Sequence, residues 1–215
     1  MLRYVDSVLP APSKASNIAF IGAPGSGKTT LAQALVLPLK LDGKDSVFVP
    51  EPARVFLRRS GPYQHYLEDF PIFLETVNQE EEMQVHEVLI YDNASFTAAA
   101  YMQFHRPQNL NREERRKWEY CYRLLHNLAR DRFARFDLIC FVPSGRFQLI
   151  ADPERPWNEE DALKLSKQME AFLIANGVPY HTVESVGPNA RVAEVLEVMR
   201  DRGLIDRIPP LTPDD

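Results

Sequence analysis

Short apolar runs recur along the chain and alternate with longer segments whose apolar residues repeat at helical spacing. The runs predict strands and the segments between them predict helices. The five predicted strands cover residues 17–21, 46–50, 88–91, 138–142 and 180–183. Because strands and helices alternate throughout, we expect a three-layer α/β/α fold with a mostly parallel five-stranded sheet.

The segments between and after the strands predict seven helices, and asparagines at 111 and 158 are expected to cap two of them. Their expected ranges are 28–40, 53–59, 72–84, 94–104, 111–135, 158–176 and 190–202. Residues 1–208 are expected to form one domain, in which the loop near 144–158 acts as a lid. The proline-rich residues 209–215 are expected to be a flexible tail.

A glycine-rich stretch between the first strand and the first helix fits the spacing G-x-x-x-x-G-K-[ST], which is typical of a phosphate-binding loop. Glycines allow backbone conformations in which successive N–H groups surround a phosphate. Lys28 is expected to reach the β- and γ-phosphates of ATP, and Thr29 to ligate Mg²⁺. The candidate nucleotide-binding residues are Gly22, Ala23, Pro24, Gly25, Ser26, Gly27, Lys28, Thr29 and Thr30.

Two acidic residues follow predicted strands, where a parallel sheet presents side chains to its functional edge. Asp92 could hold Mg²⁺ through water or bind a substrate hydroxyl, and the alternative is a helix cap. Glu51 could accept a proton from an attacking hydroxyl. Arg54, one helical turn later, could steady that carboxylate or hold a phosphate, and the alternative is a surface ion pair between the two.

The loop after the fourth strand carries Arg146 and Arg155, which could neutralise charge on a transferring phosphoryl group. The alternative is a solvated loop. Earlier in the chain, Tyr63, Tyr66 and Phe70 form an aromatic cluster with His65 on a predicted loop. Their rings could stack on the planar ring of a substrate, or they could pack as core beneath the loop.

Composition limits the classes of function. The 215 residues carry a net charge of −5, so no overall basic field gathers nucleic acid, although residues 112–135 have a basic excess. That excess could touch a phosphate backbone, or it could be a solvated helix face. Cys121 and Cys140 show no metal-ligand spacing and predict reduced thiols in a cytoplasmic setting. No run is long and apolar enough to predict a membrane span.

These motifs resemble small P-loop kinases, namely the ribosylnicotinamide-kinase-like AAA families and, more loosely, deoxynucleoside and thymidylate kinases. The likeness covers most of residues 17–199. In deoxynucleoside kinases the glutamate after the second strand is the general base, and Glu51 matches it. Those enzymes usually have Asp/Glu-Arg-Ser after the third strand, where this chain has Asp92-Asn93-Ala94. The resemblance implies ATP and Mg²⁺ as cofactors and a nucleoside-type acceptor.

The chain also resembles bacteriophage kinases that phosphorylate 5-hydroxymethyluracil within DNA during thymidine hypermodification. The basic helix and the aromatic loop suit a base flipped out of DNA, whereas the acidic net charge argues against it. The leading hypothesis is therefore a kinase whose acceptor hydroxyl is on a free nucleoside or on a base in DNA. The rivals are a nucleotide-hydrolysing switch ATPase and a nucleotide-binding module that has lost its chemistry.

Overall fold

The computed structural model describes residues 15–147 and 157–211. It contains a single five-stranded sheet among these residues, and every strand pairing in it is parallel. The strands are β1 (Ser16–Ile21), β2 (Ser46–Val49), β3 (Val88–Asp92), β4 (Leu138–Phe141) and β5 (His181–Thr182), in the order β2-β3-β1-β4-β5. The prediction of a parallel α/β/α fold is confirmed.

The helices lie between the strands and, in the case of the last one, after the fifth strand, as the alternating pattern predicts. They are α1 (Lys28–Leu41), α2 (Pro52–Ser60), α3 (Asp69–Glu82), α4 (Ala98–Phe104), α5 (Arg112–Arg132), α6 (Glu159–Ala175) and α7 (Pro188–Asp201). Short 3-10 turns occupy Tyr66–Glu68, Ser95–Thr97 and Phe133–Arg135. Asn111 and Asn158 accept hydrogen bonds from the backbone N–H groups of the first turns of α5 and α6, so both predicted caps are present.

The central strand β1 is buried on both faces because its side chains alternate between two helical layers. Ile18 and Phe20 pack into one layer, whose buried helical residues are Leu31, Ala32, Leu35 and Leu39 of α1 and Val192, Val195, Leu196 and Met199 of α7. Ala19 and Ile21 pack into the other, with residues of α4, α5 and α6. Packing between two helical layers fixes the positions of the strand ends, where the candidate functional residues lie.

Three local features differ from the sequence-based expectation. The first helix, α1, ends at Leu41, one residue beyond the expected range of 28–40, although Pro38 lies inside it; the fully buried Leu35 and Leu39 hold its last turns in place. The third helix begins at Asp69, since the residues before it form a capped 3-10 turn. Within the expected flexible tail, Leu211 packs against the α1 and α7 layer, and residues 212–215 lie outside the described residues.

Within residues 15–147 and 157–211, no helix combines the length and the apolar character that crossing a membrane requires. Both cysteines are free thiols, and Cys140 is fully buried in β4. Burial raises the pKa of the Cys140 thiol well above its ordinary value, so this thiol stays protonated.

Candidate active site

The phosphate loop connects the end of β1 to the first residue of α1. Gly25 and Gly27 have left-handed backbones with φ of 76° and 80°, a conformation that costs other residues roughly 1 kcal/mol or more. Gly22 passes so close to the end of β4 that a Cβ there would lie 2.4 Å from the carbonyl oxygen of Val142. The path of the loop therefore requires these glycines.

The remaining loop residues differ in their exposure. Ala23 is buried, Pro24 is half-buried, and Thr30 is exposed on the first turn of α1. The Ser26 hydroxyl is buried, and within the described part of the chain it has no hydrogen-bond partner. Because buried polar groups are nearly always partnered, an anion oxygen in the loop is a natural partner for this hydroxyl.

Lys28, Thr29 and Asp92 come together where β3 ends beside the loop. The Thr29 hydroxyl donates a hydrogen bond to Asp92 Oδ2 at 2.6 Å, and Lys28 Nζ lies 3.8 Å from Asp92 Oδ1. Lys28 and Asp92 are each only 5% exposed. Asp92 reaches this place because it pairs in register with Phe20 near the end of β1.

The Glu51 carboxylate lies at the same edge of the sheet, just after β2 and before α2. It is 6% exposed, and its Oε1 accepts a hydrogen bond from Asn93 Nδ2 at 3.1 Å. Asn93 has a left-handed backbone with φ of 76°, and its Oδ1 accepts hydrogen bonds from Ala94 N and Thr97 Oγ1. A polar turn immediately after β3 therefore fixes the orientation of Glu51.

A cavity of about 280 Å³ opens beside Glu51 and Asn93. Among the described residues that line it are the aromatic side chains of Tyr63, Tyr101, Phe104, His105 and Trp157. The centroids of the Phe104 and Trp157 rings are 5.2 Å apart and the ring planes are inclined by 32°. Aromatic walls of this kind suit a planar ligand ring. We call this space the acceptor pocket.

Arg54, Tyr63 and Tyr66 are the residues expected to contact substrate, and of these Tyr63 alone is among the described residues that line the acceptor pocket. Tyr63 lines it, whereas Tyr66 packs against a cluster that includes Leu125 of α5. Arg54 lies half-buried on the first turn of α2, next to the residues that line the pocket. Of these two tyrosines of the aromatic loop, Tyr63 therefore lies in the pocket wall and Tyr66 packs against the core.

Asp69 forms a second polar group in the pocket wall, and sequence analysis did not find it. The carboxylate is 3% exposed, and its Oδ2 accepts a hydrogen bond from the Tyr63 hydroxyl at 2.6 Å and lies 3.5 Å from His105 Nδ1. Burial raises the pKa of Asp69, although His105 and Tyr63 act in the opposite direction. Burial and then the Asp69 charge raise the pKa of Tyr63 far above its ordinary value.

Of the two arginines expected to neutralise phosphoryl charge, Arg146 is described and Arg155 lies outside the described residues. Arg146 lines a small groove with Pro24 and Gly25 of the phosphate loop. Its guanidinium donates hydrogen bonds to the carbonyl oxygens of Val183 and Glu184 at 2.6 and 2.7 Å. In this structure Arg146 therefore ties the base of the predicted lid to the segment after β5.

Arg191 of α7 also contacts the phosphate loop, and no sequence motif marks it. It is 5% exposed, donates a hydrogen bond to the Ser26 carbonyl oxygen at 3.3 Å, and lies over the ring of Phe147 at 5.2 Å. Burial and the nearby charge of Arg146 lower the pKa of Arg191. A buried positive charge beside the loop adds to its attraction for phosphate.

The basic excess on α5 is partly neutralised inside the protein. Arg132 donates hydrogen bonds to the fully buried Glu80 at 2.7 Å and to Glu81 at 2.9 Å, and Arg135 pairs with Glu81 at 2.9 Å. Glu80 also accepts hydrogen bonds from the backbone and hydroxyl of Ser95. These arginines join α3, α5 and the turn after β3, which is a structural role.

The loop and its neighbours fit a bound nucleotide with its metal ion. The unpartnered Ser26 hydroxyl, the left-handed glycines and the buried Lys28 together form a cradle for phosphate oxygens. Thr29 and Asp92 present a hydroxyl and a carboxylate oxygen, the hard ligands that Mg²⁺ prefers. The residues expected to hold ATP and Mg²⁺ are thus assembled in one place.

Comparisons with solved structures return kinases among similar folds. The chain resembles a NadR protein in complex with NR (TM-score 0.70, 16% identity, covering 93% of this chain and 54% of that one). It also resembles deoxyadenosine kinase from M. mycoides with bound dATP (TM-score 0.58, 15% identity, covering 86% of this chain and 99% of that one). A third similar structure is thymidylate kinase from Ehrlichia chaffeensis (TM-score 0.59, 17% identity, covering 87% of this chain and 100% of that one). The chain spans about half the length of the NadR protein. A search of curated proteins found no significant match.

The fold and the phosphate loop define a P-loop nucleotide-binding α/β protein. The family model described as an AAA domain matches residues 17–191, and the chain therefore belongs to the AAA domain family.

Proposed function

We propose that this protein is a kinase that transfers the γ-phosphoryl group of ATP to a hydroxyl of a nucleoside-type acceptor. The observation that carries the proposal is the pair of consecutive residues after β3. Asp92 contacts Lys28 and Thr29 of the phosphate loop, and Asn93 contacts Glu51 in the wall of the acceptor pocket. The pair thereby links the candidate nucleotide site directly to the candidate base.

In this proposal the phosphate loop holds the triphosphate and Lys28 contacts its β- and γ-phosphates. Thr29 and Asp92 would hold Mg²⁺, which neutralises phosphate charge when it is bound. Most of the rate enhancement then comes from positioning and charge stabilisation. Arg146 and Arg155 are proposed to approach the transferring group, and Arg146 would first exchange its hydrogen bonds to residues 183 and 184.

Glu51 is proposed to accept the proton of the acceptor hydroxyl. The hydroxyl oxygen forms the new bond to the γ-phosphorus while the bond to the oxygen bridging the β- and γ-phosphates breaks. That bridging oxygen keeps the electron pair, and ADP leaves. A carboxylate is suited to this task because it needs only to be deprotonated and oriented, and Asn93 orients it.

The structural neighbours support the kinase over other uses of a P-loop. They include proteins named deoxyadenosine kinase and thymidylate kinase, which share the fold along nearly their whole length. We propose three acceptors, namely a free nucleoside, ribosylnicotinamide, or 5-hydroxymethyluracil within DNA. The rival reading is a switch ATPase, which would hydrolyse ATP rapidly without an acceptor.

The experiment offers γ-labelled ATP to wild-type protein with free nucleosides, ribosylnicotinamide, mononucleotides, plain DNA and DNA bearing 5-hydroxymethyluracil. Label in one of these acceptors, lost in Lys28→Ala while the fold persists, is the expected result. Circular dichroism and the melting temperature check the fold of the variant. Unchanged transfer by Lys28→Ala would reject the proposal, as would rapid hydrolysis with no label in any acceptor.

A further inference from the structure

A row of large apolar side chains runs along the outside of α5. Tyr120, Leu124 and Leu128, which we call the apolar row, are each between 40% and 64% exposed. They recur every four residues and therefore lie on one face of the helix. The inner face of α5 is separate, because Trp118 and Leu125 there are buried. Single exposed apolar residues are ordinary, whereas a continuous row of them is typical of a surface that another protein covers.

Helix α3 lies beside α5 and widens this apolar surface. Glu81, near the end of α3, pairs with Arg132 of α5 at 2.9 Å, and Phe70 and Val77 of α3 belong to an apolar cluster that also contains residues of α5. Leu74 falls between Phe70 and Val77 on the same face of α3, but its side chain is 57% exposed. Leu74 therefore borders the apolar row and enlarges the surface that a partner could cover.

The charges at the two ends of the apolar row are complementary about its centre. Lys117 precedes Tyr120 by three residues, and Asp131 follows Leu128 by three residues. The spacing is therefore the same in both directions from Leu124. In a second copy of α5 packed antiparallel about Leu124, the partner's Leu128 faces Tyr120. The partner's Asp131 then faces Lys117, whereas a parallel arrangement would place like charges side by side, where they repel.

The two charged side chains are accessible for a contact of this kind. Lys117 pairs with Glu113 one turn earlier at 2.7 Å, and both side chains are more than half exposed. An exposed pair of this type is weak, so Lys117 can exchange its partner at little cost. Asp131 is exposed near the other end of the helix. An apolar centre with a charged rim is the usual composition of an interface between proteins.

We propose that the protein forms a dimer in which the α5 helices of two copies pack antiparallel about Leu124. The twofold axis passes beside Leu124, so the same surface serves both copies, as in most symmetric dimers. The apolar row forms the centre of the interface, and Lys117 pairs with the partner's Asp131 at each end. The inference goes beyond the proposed kinase function and does not depend on it.

Analytical ultracentrifugation of the full chain measures the dimer. We expect the mass of two chains at roughly 100 μM and dissociation on dilution. Leu124→Glu brings two carboxylates together at the twofold axis and should weaken the dimer at least about tenfold. Leu37→Glu is the matched control, because Leu37 is 53% exposed on α1, in the helical layer on the other face of the sheet. It should dimerise as the wild type does, and melting temperatures check that each variant is folded.

Exchanging the two charges tests the antiparallel pairing. Lys117→Asp alone places two carboxylates together at each end of the interface, and Asp131→Lys alone places two ammonium groups there. Each single variant should therefore weaken the dimer about tenfold. The double variant with both substitutions restores opposite charges and should dimerise nearly as well as the wild type. A general loss of helix stability would not be reversed in this way.

A monomeric wild-type protein at roughly 100 μM would overturn the inference, and this measurement needs no variant. If removing residues 1–14 then destabilised that monomer, the apolar row would be assigned to this segment of the same chain instead. A dimer that is unaffected by Leu124→Glu would place the interface elsewhere and also overturn the inference. A double charge variant that dimerises no better than the single variants would overturn the antiparallel pairing.

Discussion

Asn93 donates a hydrogen bond to Glu51 at 3.1 Å from a left-handed backbone position, and among the described residues it is the only non-glycine with a positive φ. Strained residues of this kind persist where the surrounding structure holds them, often at functional sites. Here the Asn93 side chain is anchored by Ala94 and Thr97 while it contacts Glu51. Together with Asp92, it joins the phosphate loop to the acceptor pocket.

Replacing Asn93 should affect turnover more than ATP binding. Asn93→Gly keeps the left-handed backbone but removes the hydrogen bond from the Asn93 side chain to Glu51, so we expect kcat to fall about tenfold or more, with the KM for ATP unchanged. Asn93→Ala should lose about 1 kcal/mol more stability than Asn93→Gly, because alanine is strained at this φ. Steady-state kinetics and urea unfolding measure the two effects. Wild-type kcat in Asn93→Gly would show that Glu51 needs no such partner.

Gly27 and Gly43 form a matched pair for testing the phosphate loop. Their φ angles are nearly equal, 80° and 84°, but a Cβ on Gly27 would lie 2.8 Å from Arg191 Nη1, whereas one on Gly43 would meet nothing within 4 Å. Both alanine variants should lose about 1 kcal/mol from the left-handed backbone. Only Gly27→Ala should also displace Arg191 and weaken ATP binding, by about tenfold or more.

Isothermal titration with a non-hydrolysable ATP analogue measures this difference, and chemical unfolding provides the stability of both variants. Equal ATP affinity in the two variants would mean that the contact between Arg191 and the loop does not matter for nucleotide binding.

The sequence predicted those parts of the site that depend on local spacing. The spacing G-x-x-x-x-G-K-[ST] placed Lys28 and Thr29 in the phosphate loop. The rule that functional side chains follow parallel strands placed Glu51 and Asp92 at one edge of the sheet. The elements themselves followed from apolar runs and helical periodicity, because the central strands are buried on both faces. These features require no knowledge of how distant segments pack.

The remaining residues of the site depend on packing between segments far apart in the chain. Asp69 meets His105 only because α3 and α4 lie side by side, and Arg191 reaches Ser26 across most of the chain length. Neither contact leaves a periodic or motif signal. Asn93 did have a local signal, since it directly follows Asp92, but its bond to Glu51 requires the neighbouring strands β2 and β3.

Glu194 should stabilise the protein in a manner that depends on pH. Its carboxylate accepts hydrogen bonds from the N–H groups of Glu184 and Ser185, each at 2.8 Å, and lies 2.7 Å from His181 Nε2. Burial alone would raise the pKa of Glu194, but these hydrogen bonds outweigh it and hold the pKa below its ordinary value of 4.5. The stabilisation is therefore present above that value and is lost as pH falls through the lowered pKa.

Glu194→Gln should lower the free energy of unfolding at neutral pH by roughly 1–2 kcal/mol, because its amide nitrogen would face a backbone donor. The difference from wild type should shrink once the pH falls below 4.5. Urea unfolding across this range measures it. Glu197→Gln, on the exposed face of the same helix, is the control and should differ little from wild type at any pH. A pH-independent deficit in Glu194→Gln would contradict the role given to its charge.

Single-turnover phosphoryl transfer by Glu51→Gln measures whether Glu51 takes the proton of the acceptor hydroxyl. ATP and the acceptor are both supplied at saturating concentration, so that only the rate of the chemical step is compared between Glu51→Gln and wild type. We expect the transfer rate to fall at least about 100-fold, while the dissociation constants of ATP and acceptor stay close to those of wild type. Transfer at the wild-type rate by a folded Glu51→Gln would contradict it.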